Sequence, residues 1–389
     1  MNRPPSAERV PLRTVALEWG KIGVTGFGGP PTHIAQLRTL VVERRGWMQE
    51  QEFEDAIAAC NLLPGPASTQ LAIFCAQRCA GGPGAIVGGL AFVTPAIVLM
   101  LALSVLFLAQ APPVWIRGAG AGAGATVAAV AVKAGAGLLP ASWERAREMP
   151  GGCARWVLYA GVGAAAAAVA GPYLVLMLLA CGGFELAVRR DANAGGRLLG
   201  VQGPVLAALA AGGMPALAWV AFKVGALSYG GGFVIVPLMQ HDAVHTYHWM
   251  SGSQFLSAVA LGQVTPGPVV ATVAAVGYAA HGLAGGLLAA AVAFSPSFAF
   301  VLAGGHRFGR LREDRRARAF LAGAGPAALG AIIGAAIPLT GALQETWQLL
   351  VLAGAAMALL VARRGIVLTL LASGLVGVAV ALAGGPVPR

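Results

Sequence analysis

Charge is what this chain has least of. Only 11% of its 389 residues are Asp, Glu, Lys or Arg, and 57% are hydrophobic, whereas an ordinary soluble domain carries about 25% charged residues. A surface facing water on all sides needs more charge than that. Uncharged runs such as residues 83–116 and 157–184 are long enough to cross a hydrocarbon core of about 30 Å. The composition therefore indicates an all-α, polytopic integral membrane protein.

Other absences narrow the function. There is no phosphate loop of the form GxxxxGK[ST], no HExxH, no GxSxG and no recurrent pair of carboxylates, so neither ATP nor hydrolytic chemistry is indicated. The five cysteines (Cys60, Cys75, Cys79, Cys153, Cys181) stand in mostly apolar segments without metal-ligand spacing and read as buried thiols. No catalytic residue, metal or cofactor is expected. Residues 1–13 are polar, basic and proline-rich, without the apolar core of a cleaved signal peptide.

What is present is a long internal repeat. Residues 21–30 read Lys21-Ile-Gly-Val-Thr-Gly-Phe-Gly-Gly-Pro30, and residues 61–66 read Asn61-Leu-Leu-Pro-Gly-Pro66. Shifted by 202 residues without a gap, the chain reads Lys223-Val-Gly-Ala-Leu-Ser-Tyr-Gly-Gly-Gly232 and Gln263-Val-Thr-Pro-Gly-Pro268. Trp47-Met48 meets Trp249-Met250 and Phe53 meets Phe255 in the same register. A repeat of this length divides the protein into two related halves.

The net charge of +11 marks cytoplasmic loops rather than a nucleic-acid partner, because Lys and Arg collect on the inner side of a membrane. Arg38, Arg44 and Arg45 follow the first motif, but the equivalent loop at 240–247 has neither Lys nor Arg. The charge-free loop at 109–115 corresponds to 306–318, which holds six arginines. Arg145, Arg147 and Arg155 correspond to 340–348, which has neither Lys nor Arg. Positive residues on opposite sides of equivalent segments are the signature of an inverted-topology repeat. The expected layout is a cytoplasmic N-terminus at 1–13, a first repeat at 14–188, a cytoplasmic linker at 189–202 and an inverted second repeat at 203–389. The paired broken or re-entrant segments are joined by about 8–9 full spans, one of them at 201–213. Arg363 and Arg364 are then inside, and the C-terminus is periplasmic.

The repeated stretch also carries the candidate chemistry. Pro64, Gly65 and Pro66, like Pro266, Gly267 and Pro268, stop a continuous helix, and broken backbone at membrane depth survives only against protein or a water-filled cavity. Each half-helix starting there exposes N–H groups and a positive dipole end, which favour an anion. Gly28, Gly29, Gly230, Gly231 and Gly232 allow close approach to the main chain. Lys21 and Lys223 offer symmetry-related positive charge, and an intramembrane lysine marks a pathway or a buried partner. Asn61, Gln70, Ser228, Gln263 and Thr265 flank the breaks as hydrogen-bond donors, and His33, whose counterpart is Ile235, is a titratable neighbour. Each has a plainer alternative: close packing for the glycines, kinks for the prolines, and pairing with Glu18 or snorkelling for Lys21. Lys133 stands alone in a small-residue helix and divides evenly between pathway and snorkelling.

These residues resemble the chromate ion transporter family. The resemblance rests on Phe27-Gly-Gly-Pro30 with His33-Ile34, Trp47, and Leu63-Pro-Gly-Pro66 with Gln70. In the second half it rests on Ser228-Tyr-Gly-Gly-Gly232, Ile235, Pro237, Trp249 and Thr265-Pro-Gly-Pro268. It covers roughly residues 15–108 and 219–303. Thr32, Asn61 and Tyr229 stand where the family more often has alanine, glutamine and phenylalanine. The resemblance implies a long, two-domain exporter of chromate, the sulfate analogue, from the bacterial cytoplasm across the inner membrane, conferring resistance. Driven by the membrane potential, with proton coupling as an addition, it would have a chromate- or sulfate-like oxyanion and membrane lipid as partners. A homodimer is left open, and nucleic acid is not expected. The alternatives are an importer of sulfate or a related oxyanion and, from another class, a membrane enzyme or scaffold.

Overall fold

The computed structural model describes residues 9–61, 63, 65–109, 111–169, 173–189, 213–228, 233–304 and 314–388. The linker beyond Arg189, the expected crossing at 201–213 save its last residue, and most of the arginine-rich loop at 306–318 lie outside these residues. Among the described residues every regular element is a helix. In the first half they are α1 (Leu12–Thr25), α2 (Pro30–Arg38), α3 (Glu50–Cys60), α4 (Ala67–Phe107), α5 (Val114–Ala125), α6 (Val127–Arg147), α7 (Gly152–Val169) and α8 (Leu174–Val188). The second half follows in the same order with α9 (Gly213–Leu227), α10 (Ile235–Gln240), α11 (Gly252–Val264), α12 (Thr272–Gly304), α13 (Arg315–Gly334), α14 (Ala336–Gly341), α15 (Thr346–Ala356) and α16 (Ile366–Leu382). Five stretches among the described residues are long and apolar enough to cross a membrane: Ala67–Phe107, Val114–Arg147, Gly152–Val169, Val269–Gly304 and Arg315–Gly341.

The repeat extends to backbone detail. The chain after α2 widens into a π-helical turn at Thr39–Arg44, and the chain after α10 does so at His241–Thr246, 202 residues on. Left-handed backbone recurs as well: Gly46 (φ +60°) answers to His248 (φ +52°), and Gly65 (φ +115°) to Gly267 (φ +103°). One residue is then lost, so Gly81 (φ +73°) answers to Gly282 (φ +61°), a shift of 201. Glycine enters this region without steric cost, which is why the breaks fall on glycines in both copies.

Gly81 and Gly282 turn α4 and α12 into helical hairpins. In α4, limb 67–80 folds back on limb 82–107. Gly84 lies against the Ala76 carbonyl, where an added Cβ would sit 2.6 Å away, and Gly89 lies against Ile73 at 2.8 Å. Residue numbers thus fall along one limb as they rise along the other. In α12, Gly285 packs on the Gly277 carbonyl and Gly286 on that of Ala274, 2.9 Å from an added Cβ. Pro83 consequently stands in the first turn of a new limb, where its missing N–H costs nothing. Pro95 and Pro296 occupy equivalent places inside the long limbs and remove a helix hydrogen bond from each.

The halves interlock through these hairpins. Gly89 of α4 faces the Phe298 ring of α12, and Gly286 of α12 faces Leu101 of α4, so the two equivalent helices pack antiparallel. In that register Val93 stands opposite Phe294, and these two are themselves equivalent under the 201-residue shift. The same point receives the flanking helices: Gly23 of α1 lies against the Phe92 carbonyl, 2.5 Å from an added Cβ, and Gly225 of α9 lies against the Ala293 carbonyl. Beyond the centre, Gly118 and Gly122 of α5 seat α16 at Gly377 and Ser373, and Gly330 of α13 seats α7 at Ala160. Such close contacts between small residues hold helices together where lipid supplies no hydrophobic drive.

Candidate functional site

Two Pro-Gly-Pro turns meet the centre from opposite halves. The turn at Gly65 lies beside the Gly225 carbonyl and the Ser297 hydroxyl, each 3.4 Å from the position of an added Cβ. The turn at Gly267 lies beside the Gly23 carbonyl, at 3.8 Å, and the Ala96 methyl, at 2.7 Å. These contacts are reciprocal, since Gly225 is equivalent to Gly23 and Ser297 to Ala96. Ala96 and Ser297 follow the central residues Val93 and Phe294 by three positions, about 4.5 Å along each helix. Both breaks therefore sit close to mid-length of the α4·α12 pair.

The surroundings of the two turns differ. Around the first, Ser68, Thr69, Gln70 and Ser297 are all buried, as is Ser228, three residues beyond the Gly225 that meets this turn. The hydroxyls of Thr69, Ser228 and Ser297 have no hydrogen-bond partner among the described residues. The Gln70 amide nitrogen lies 2.7 Å from where a Gly65 Cβ would be. Thr69 and Gln70 give their N–H groups to the Pro66 carbonyl, whereas those of Ala67 and Ser68, at the start of the limb, have no acceptor within the helix. Around the second, the Gly267 N–H donates to the Gly26 carbonyl at 3.1 Å, and the hydroxyls of Thr265 and Thr272 donate to the carbonyls of Gly262 and Val269. Gln263 is buried there with its amide nitrogen unpartnered.

His33 braces this region without facing water. It is fully buried, its Nε2 lies 2.9 Å from the Gly26 carbonyl and its Nδ1 3.4 Å from the Ser68 hydroxyl, and its ring meets Phe92 edge-on. Gly26 thus ties α1, α2 and the second-half turn together. Gly28 (φ +102°) and Gly29 (φ +76°) make the left-handed entry to α2, with Gly28 exposed and open space around Gly29. Asn61 is exposed at the end of α3. Pro64, Gly230, Gly231 and Gly232 lie outside the described residues.

Both lysines have acidic partners. Lys21 has a 69% exposed side chain and lies 3.8 Å from Glu18, which also receives Arg45 at 2.6 Å. It borders an open cleft of about 330 Å³ with Thr25, Gln36 and Arg44. Lys223 is mostly buried and meets Asp242 at 2.5 Å. Lys133 is half-buried and donates to the Arg364 carbonyl. Ser297 and Asp242 were not among the candidates from sequence, yet both show there as departures from the repeat: Ser297 stands opposite Ala96, and Asp242 opposite Leu40. No group of three His, Cys, Asp or Glu side chains among the described residues is arranged to hold a metal. The centre is built from neutral donors, main-chain amides and the ends of half-helices.

Comparison with known proteins accords with this architecture. A family model described as chromate transporter matches residues 13–186 and again 215–378. The chain is 30% identical over 341 residues to a chromate transport protein of Cupriavidus metallidurans, covering 84% of this chain and 82% of that one. It is 29% identical over 333 residues to a probable chromate transport protein of Synechococcus elongatus (82% of each chain). A chromate transport protein of Pseudomonas aeruginosa is 29% identical over 330 residues, 80% of this chain and 77% of that one. No solved structure matches. With the doubled match spanning both hairpins and most of their flanking helices, this multi-pass membrane protein belongs to the chromate transporter family.

Proposed function

We propose that the protein is a secondary transporter that expels chromate, a tetrahedral dianion, across a bacterial inner membrane by alternating access. The observation that carries this reading is the pair of broken helical hairpins, one per half, whose Pro-Gly-Pro turns lie at mid-length of an antiparallel helix pair. Broken segments at matching places in two repeats are where secondary transporters bind their cargo. The names of the relatives, two chromate transport proteins and a probable one, supply the oxyanion.

The antiparallel packing of α4 against α12 supports an inverted-topology repeat, as does the reversed arginine distribution. The first repeat then occupies 14–188 and the second 203–389, joined by a cytoplasmic linker at 189–202. Direction follows from charge. An inside-negative potential contributes about 2.3 kcal/mol per charge per 100 mV, hence about 4.6 kcal/mol towards expelling a dianion, so export needs no proton gradient.

The test is chromate and sulfate flux in proteoliposomes holding the purified full chain, with voltage and pH gradients imposed separately. Outward flux that follows voltage at matched pH is expected. No flux of either anion under any gradient refutes transport. Uptake of sulfate against the same voltage selects the importer reading.

A further inference from the structure

The pseudo-symmetry of the scaffold raises the question of whether each break holds an anion. Their polar surroundings answer differently. At the second break the turn is closed: the Gly267 N–H is taken by the Gly26 carbonyl, and the residue facing it from the opposite hairpin is the methyl of Ala96. At the first break the equivalent facing residue is Ser297. Its hydroxyl is fully buried, has no partner among the described residues and lies beside Gly65. Ser228 takes the place of Gly26 and brings a second buried, unpartnered hydroxyl, and Thr69 a third. Leaving a buried hydroxyl without a partner is costly, and packing does not explain three of them on the segments that meet at this break.

We propose that each chain holds a single oxyanion site, at the first-half break alone, and that Ser297 of the second half is its specificity-determining donor. This rests on the transport reading and deepens it. The anion would lie at the N-terminal end of limb 67–80, where the N–H groups of Ala67 and Ser68 are free of helix acceptors. The hydroxyls of Ser297, Ser228 and Thr69 would close around it. A set of neutral donors suits a fully deprotonated tetrahedral oxyanion, chromate or sulfate, whose oxygens all accept. The Gly267 turn is then the rigid counterpart on which the other half pivots, through Gly26.

The experiment compares the full-length wild type with Ser297→Ala and with the mirror substitution Ala96→Ser. Equilibrium binding of labelled sulfate and of chromate gives the stoichiometry, and proteoliposome flux gives KM and maximal rate. One anion per chain is expected. Ser297→Ala should raise Kd and KM about tenfold, equivalent to about 1.4 kcal/mol, with the maximal rate changed far less. Ala96→Ser should leave both unchanged. Two anions per chain, or an unchanged Kd and KM in Ser297→Ala while the wild type transports, overturns the one-site proposal alone. A wild-type chain that moves neither anion overturns the transport reading and this proposal with it.

Discussion

The Lys223–Asp242 pair gives the sharpest perturbation. The ammonium and carboxylate are 2.5 Å apart, with side chains only 18% and 7% exposed. Removing one partner leaves the other charge uncompensated at a buried site, at about 3–5 kcal/mol. Residual access to Lys223 moves the Asp242→Leu variant towards the lower figure. Against a total stability of about 5–15 kcal/mol, Lys223→Met or Asp242→Leu alone should lower the thermal midpoint of the detergent-purified protein severely. The double variant should recover it, because a neutral pair of similar volume is commonly as stable as the ion pair it replaces or more so. Leucine at 242 also reproduces the first half, where Leu40 occupies the equivalent place. Since Asp242 already matches the lysine charge, flux should return with stability in the double variant. Single variants with an unchanged midpoint would refute the buried-pair argument. A folded double variant without flux would refute the neutral-donor view of the centre and put the Lys223 charge in the anion path.

Two further outcomes follow from the packing and the repeat. Gly225→Ala drives a methyl into the Ala293 backbone, and such overpacking costs about 1–3 kcal/mol or more; loss of folded protein on size-exclusion chromatography is expected, whereas Gly183→Ala, with nothing within 4 Å, should behave as wild type. Single cysteines at Pro112 and Asp314, in equivalent loops of a chain whose native cysteines are replaced, should react with impermeant reagents from opposite sides of the membrane, that at 314 from the cytoplasm. Labelling of both from one side would refute the inverted repeat.

Much of the architecture was legible in the chain because it is carried by residues whose backbone behaviour is local. The glycines at 65 and 267, with a proline on either side, read as breaks in the sequence itself, whereas the hairpin turns at Gly81 and Gly282 do not, since single glycines inside apolar runs also serve unbroken helices. The repeat shows that each break occurs twice. Gly118 and Gly122, in a run of small residues, serve helix packing against Gly377 and Ser373. The partners of the charges were not legible. Lys21 lies within three residues of Glu18, and that pairing was an open alternative, but Lys223 finds Asp242 nineteen positions away on another element, which no periodicity signals. Ser297 was missed for the same reason: its meaning depends on which turn faces it, and that turn comes from the other half of the chain.

The sites that repeat and the sites that do not divide the labour between them. Equivalent positions hold geometry: paired left-handed glycines, paired prolines at 95 and 296, paired glycine contacts at 23 and 225. Positions that break the equivalence hold polarity: His33 against Ile235, Ser228 against Gly26, Ser297 against Ala96, Asp242 against Leu40. A duplicated gene starts with two identical breaks, and two anion sites a short distance apart would repel dianions from each other across a poorly screened interior. Keeping the free hydroxyls at one break, and closing the turn of the other with the Gly267–Gly26 hydrogen bond so that only the Gln263 amide remains there, would remove that repulsion. The proposed alternating access would keep its symmetric scaffold, because the backbone breaks recur in both halves and only the polar side chains differ.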